Sequence, residues 1–224
     1  MSRFLFLTFF YFFSVPSHSK ECEAFYTSST EKPITLSESI IHNGALSFVP
    51  RSNSLAMNIL YSPIIKLRHD IQKILSLKNP LKFLTAWNNN GEAHVTVITP
   101  PEAEKLLAEN ERHLSQVRMD EIAKLNAIQT SDLKIIGLGS GKIFVGDCYE
   151  YTFFLIVESK NLIEIRRKIF KEFVAGGGKS SEFDPNHFFP HITIGYTHRD
   201  IHESDGLFKD KRSLDSRFKI VLKQ

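Results

Sequence analysis

Cysteine, net charge and long apolar runs are all scarce in this sequence, and each scarcity removes a class of protein. Only Cys22 and Cys148 occur in 224 residues, so at most one bridge can form and a disulfide-built scaffold is excluded. The 28 basic residues are interspersed with 25 acidic ones for a formal charge of +3. A dedicated nucleic-acid groove carries a stronger basic bias, so no stable nucleic-acid complex is expected, while an RNA end as a substrate stays open. No Asn-x-Ser/Thr triplet is present, hence no acceptor for N-glycans. The run Gly176-Gly177-Gly178-Lys179-Ser180 lacks the Gly-x4-Gly-Lys-Ser/Thr spacing of a P-loop; it reads as a flexible lid or an inert loop.

The single long apolar run stands at the start. Arg3 precedes an apolar and aromatic stretch over 4–13, and small residues follow at Ser17 and Ser19. That is the layout of a secretory signal peptide cleaved before Lys20, and the run is too short to span a bilayer comfortably. An uncleaved N-terminal anchor is the alternative. Cleavage removes Arg3 and no acid, so +3 becomes +2. The expected destination is secretion or the lumen of the secretory pathway, with no permanent membrane span. There Cys22 and Cys148 either pair, tying the N-terminal segment to the body, or stay thiols with Cys148 as a small core residue.

The rest reads as a lead-in segment over 20–55, polar and turn-rich and wrapped on the surface, followed by one domain over 56–224. A helix is predicted over 62–77, with Pro63 in its first turn and an apolar stripe of Ile64, Leu67, Ile71, Ile74 and Leu75. Residues 82–87 form a strand, Asn88-Asn89-Asn90-Gly91 a tight turn, and the next strand begins near His94. Thr99-Pro100-Pro101-Glu102 opens a helix carrying Leu106 and Leu107, and a charged helix over 115–126 follows. Two strands, 133–145 and 149–157, bend at Gly146-Asp147; a helix covers 161–174, with Arg166-Arg167-Lys168 on its solvated face.

Two stretches echo one another: His94-Val95-Thr96-Val97-Ile98 and His191-Ile192-Thr193-Ile194-Gly195. Each alternates polar with β-branched apolar residues, the period of a strand with one wet face. His94 and Thr96 therefore share a face, as do His191 and Thr193. Strands side by side or across a groove bring two imidazoles and two hydroxyls into one phosphate-sized volume. Opening a cyclic phosphate needs one proton taken from water and another given to the leaving oxygen, and two histidines supply a base and an acid near neutral pH. The threonine hydroxyls are placed to donate to non-bridging oxygens. Tyr196, at the strand end, is a candidate to stack on a base or touch phosphate. Each strand offers a single imidazole, so no metal or other cofactor is expected.

The paired His-x-Thr motifs, the second inside Phe188-Phe189-Pro190-His191-Ile192-Thr193-Ile194-Gly195-Tyr196 and followed by Arg199-Asp200-Ile201-His202-Glu203-Ser204-Asp205-Gly206, resemble the two-histidine (2H) phosphoesterase superfamily and its Swiss-army-knife RNA-repair-like branch. The resemblance covers roughly 57–222. It implies an α+β fold of two pseudo-symmetric lobes, each an antiparallel sheet with helices, around a central cleft. It also implies His94, Thr96, His191 and Thr193 as the functional quartet, and as substrate a 2′,3′-cyclic phosphate or a related nucleotide or RNA-end phosphodiester. Two other readings stand beside it. One is a module that binds a nucleotide or phosphorylated ligand without turnover; the other is a metal-dependent hydrolase using His187, His198, His202 and Asp205.

Overall fold

A computed structural model describes residues 32–83, 93–107 and 113–223. The expected signal peptide, Cys22, the strand beyond Phe83 and the turn at 88–91 lie outside them. In chain order the elements are β1 (Lys32–Ser37), β2 (Leu55–Ile59), α1 (Tyr61–Ile74), β3 (Ala93–Ile98), α2 (Pro100–Leu106), α3 (Gln116–Leu125), β4 (Lys134–Val145), β5 (Cys148–Glu158), α4 (Lys160–Ala175), β6 (His191–Tyr196) and β7 (Phe218–Lys223). Each lies within a few residues of its predicted span, except β1, β2 and β7, which the sequence pattern did not reveal.

Five strands form one antiparallel sheet in the order β2-β3-β6-β5-β4, while β1 and β7 pair in parallel as a separate ribbon. Both motif strands are thus neighbours in a single sheet, where two lobes with sheets of their own were expected. A trace of two halves remains at the seam. β3 and β6 share one registered pair, Val95 with Ile192, whereas β2–β3 and β5–β6 pair over five residues each.

Alternation sorts the sheet. Ala93, Val95 and Val97 of β3 and Ile192 of β6 are buried among Ile64, Leu67 and Ile71 of α1 and Leu162, Ile165 and Ile169 of α4, so one face belongs to the helices and the core. Strand and helix ends are closed by ordinary chemistry: Ser115 and Ser159 cap α3 and α4, and Thr99 with Glu102 forms a capping box on α2.

Two expectations need correction and a third is narrowed. The lead-in segment does more than wrap the surface, because Ile34, Leu36 and Ile40 are buried in the core and β1 runs beside β7. Of the two readings of the glycine run the inert loop fits better, since two of its glycines sit against neighbours: a Cβ on Gly176 would lie 2.2 Å from the His113 carbonyl oxygen and one on Gly178 2.3 Å from the Phe173 ring. It ends α4 there, a helix length away from Lys160. Arg166 is not solvated but 1 % exposed. Three consecutive helical residues fan over about 200° and cannot share a face; Arg166 falls on the stripe of Leu162, Ile165, Ile169 and Phe173. Its guanidinium bonds both carboxylate oxygens of Glu102 and the carbonyls of Val97, Asp184, Pro185 and His187. That one side chain ties the end of β3 to the segment leading into β6.

Candidate active site

The site lies on the sheet face turned away from those helices. With Val95 opposite Ile192 in an antiparallel pair, one step on either side sets His94 against Thr193 and Thr96 against His191. All four project from the face opposite Val95 and Ile192. The imidazoles then lie on a diagonal, about 7–8 Å apart at the backbone.

Tyr196 reaches the same face through an irregularity. Strict alternation from Thr193 would send it to the core side. The register with β5, however, passes from Phe154↔Thr193 to Phe153↔Gly195, leaving Ile194 as the extra residue of a bulge. Tyr196 consequently faces Thr152, on the site side. Its backbone pairs with Lys82, N–H to carbonyl in both directions. Burial, with the charge of Asp200, raises the phenol pKa.

His191 is held by Phe189, whose carbonyl oxygen lies 2.8 Å from Nδ1. That bond requires the proton on Nδ1 and leaves the Nε2 lone pair open. The Phe154 ring stands edge-on at 5.9 Å. Burial, reinforced by the charge of Lys209, lowers the His191 pKa well below the usual histidine value, so the ring is neutral near pH 7. His94 is half-buried beside Asn58, its partner across β2, and the Asn58 amide oxygen accepts from Arg51 at 3.3 Å.

Behind the quartet is an ion pair of which the sequence motifs contain only the acid, Asp200. Lys209 Nζ lies 2.8 Å from both oxygens of Asp200, the two side chains being 4 % and 10 % exposed. Thr152 donates to Asp200 at 2.6 Å, the Ile201 amide at 3.0 Å and Thr193 at 3.2 Å. Burial works to raise the Asp200 pKa, but Lys209, with the Thr152 hydroxyl, overcomes it and the net shift is downward. Burial lowers Lys209 against the same partner. The two threonines therefore differ. The Thr193 proton is directed at Asp200, whereas the Thr96 hydroxyl has no hydrogen-bond partner among the described residues.

Glycine explains how Lys209 arrives. Gly139 and Gly141 of β4 stand opposite Phe154 and Thr152 on this face. A Cβ on Gly139 would come within 2.3 Å of the Phe154 ring, and one on Gly141 within 2.3 Å of Leu207. The bare strand lets residues 207–214 lie flat on the sheet, with Lys209 5.4 Å from the Phe154 ring centre.

Two of the four residues considered for a metal, His187 and Asp205, are otherwise engaged. His187 Nε2 lies 2.9 Å from both carboxylate oxygens of Glu203, and Asp205 takes a two-pronged bond from Arg199 and the His202 amide. Arg199 and Asp200 do not pair through their side chains. Among the described residues no group of three His, Cys, Asp or Glu is placed to hold a metal ion. Cys148 is disulfide-bonded; Cys22, the partner expected for it, lies outside the described residues.

The two His-Thr pairs thus cross on one face of one sheet. The model of the Swiss Army Knife 2H phosphoesterase domain (2H-SAK) matches residues 53–202, about two thirds of the chain, and the chain belongs to that family. Both His-x-Thr motifs fall inside the match; Lys209 falls outside it. Neither a search of curated proteins nor one of solved structures gave a match.

Proposed function

We propose that this phosphoesterase hydrolyses a nucleoside or RNA-end 2′,3′-cyclic phosphate, or a closely related phosphodiester, by acid–base catalysis between His191 and His94. The observation that carries the reading is the crossed register at Val95 and Ile192, which flanks a phosphate-sized gap with two imidazoles. His191 is the base in this reading. Its Nδ1–H is spent on the Phe189 carbonyl, its surroundings favour the neutral form, and its Nε2 is left to take a proton from water. The water oxygen bonds to phosphorus, one ring P–O bond breaks, and His94 gives a proton to the departing sugar oxygen. The negative phosphodiester offsets Lys209 as it binds and makes His191 a better base. Thr96 donates to a non-bridging oxygen; Thr193 does so on turning from Asp200, and Tyr196 borders the nucleoside. A leader over 1–19 puts the reaction in the secretory pathway or outside the cell.

The test is turnover of 2′,3′-cyclic nucleotides by the wild type, His94→Ala and His191→Ala, with and without EDTA. Each substitution is expected to lower kcat by about 10²–10⁴-fold, with the circular dichroism spectrum kept and EDTA without effect. Loss of turnover in EDTA would transfer the reaction to a metal hydrolase. Ligand binding without turnover in the wild type would leave a binding module.

A further inference from the structure

Lys82 stands on the sheet face that carries the two His-Thr pairs, although it belongs to neither motif. Its main chain exchanges both hydrogen bonds with Tyr196, at 2.8 and 3.0 Å, and residues opposed in an antiparallel bridge send their side chains to the same side. Its sequence neighbours take the other side, as alternation requires. Leu81 is buried in the core, and Phe83 packs against the core with its ring 5.3 Å from that of Tyr61 on α1. Gly195 of the second motif admits this segment, since a Cβ there would lie 3.0 Å from both the Leu81 Cβ and the Lys82 carbonyl oxygen.

Lys82 thereby extends a column of site residues. Along the flank of β6 that β3 begins, Thr96 stands against His191, His94 against Thr193 and Lys82 against Tyr196. Thr193 and Tyr196 are two steps apart in the register with β5, because the bulge leaves Ile194 uncounted. Lys82 is therefore about 7 Å along the sheet from the His94–Thr193 rung, a distance that the four-carbon stem of a lysine largely spans. Charge sets it apart from the cations around it. Lys209 is taken by both oxygens of Asp200, and Arg199 by both oxygens of Asp205. Lys82 is exposed, and its ammonium has no ion-pair or hydrogen-bond partner among the described residues. Such a group can swing onto an anion without first giving up a protein partner.

We infer that Lys82 is a substrate-binding residue of this site, its ammonium gripping a non-bridging phosphate oxygen from the Tyr196 end of the gap between the histidines. The inference rests on the phosphodiesterase reading for the identity of the anion, whereas its own support, the Lys82–Tyr196 bridge, involves neither histidine. The threonines donate neutral hydrogen bonds; Lys82 supplies the charge that the phosphodiester meets on arrival. Because the ammonium holds the same anionic group before and during the reaction, it acts on binding rather than on the chemical step.

The test measures turnover of adenosine 2′,3′-cyclic phosphate, and calorimetric binding of adenosine 2′- and 3′-monophosphates and of adenosine. The proteins are the wild type, Lys82→Met, Lys82→Arg and, as a control for lost charge, Lys171→Met on the exposed side of α4. Lys82→Met should raise KM and weaken the monophosphates by about fivefold, as for one exposed ion pair. It should leave kcat and adenosine binding unchanged and reduce the salt dependence of KM. Lys82→Arg and Lys171→Met should both keep the wild-type values. The urea midpoint should hold in all three variants, because Tyr196 is bonded through the Lys82 main chain. Unchanged KM, affinity and salt dependence in Lys82→Met overturn the assignment with the phosphodiesterase reading intact, and an equal loss in Lys171→Met overturns it as a general effect of charge. Monophosphate binding that Lys82→Met weakens, in a protein that never turns the cyclic phosphate over, supports the assignment and overturns that reading. A wild type that neither binds nor turns over these nucleotides overturns both.

Discussion

At the scale of single residues, Lys209 is the site's least expected member. A lysine 4 % exposed is tolerable because Asp200 takes it by both oxygens, and the pair in turn fixes Thr152 and Thr193. Removing one partner of a buried pair strands the other charge, which costs about 3–5 kcal/mol. Lys209→Met is therefore expected to lower the urea midpoint sharply, whereas Asp200→Asn combined with Lys209→Met should cost less than the two single changes added together. An additive double mutant would mean that the pair is not coupled. The histidines and threonines were legible because strand alternation writes them into the sequence at fixed spacing. Lys209 was not, since its role depends on Gly139 and Gly141 letting a distant segment lie on the sheet, a long-range fact without a local pattern.

At the scale of elements, period and register decide what each side chain does. Helix α4 is legible over 161–174, yet the basic triplet puts Arg166 on the wrong side, because it reads as one charged face only if the 100° step between residues is ignored. Tyr196 shows the opposite case: the sequence offers it as a site candidate, but its position depends on a bulge at Ile194 that no sequence pattern announces. Arg166 carries the structural connection between the motif strands, bonding Glu102 of α2, the Val97 carbonyl of β3 and three carbonyls before β6. Arg166→Met keeps much of the volume and removes every one of those bonds. It is expected to destabilise the fold by about 3 kcal/mol or more, as for a broken buried pair, and to free the segment at 184–190. Hydrogen exchange should then speed up at the His191 amide before it does at β4. Uniform protection in that variant would show that α4 packing alone holds the segment.

At the scale of the whole molecule, the buried charges make stability depend on pH with a definite sign. His191 and His202 both have folded pKa values below 6.5, chiefly through burial. As pH falls through 6.5 the unfolded chain takes up these protons and the folded chain does not, so folding loses free energy on acidification. Asp200, Asp205, Asp210 and Asp215 are lowered from 3.8; their contribution is complete above that value and is lost as pH falls below it. Asp120, raised by burial, opposes this weakly by protonating first in the folded state. On the alkaline side Lys209, lowered from 10.5, gives up its proton earlier when folded, so its contribution grows as pH rises toward 10.5. The curve should then be steep on its acid side and shallow on its alkaline side. Urea midpoints of the full chain at pH 7.5, 6.5, 5.5 and 4.5 should fall monotonically, and His191→Gln should flatten the part between 6.5 and 5.5. A midpoint unchanged across that interval in the wild type would mean that His191 accepts its proton in the folded protein. The base assigned to it would then lose its neutral resting form, and with it the division of roles between the two histidines.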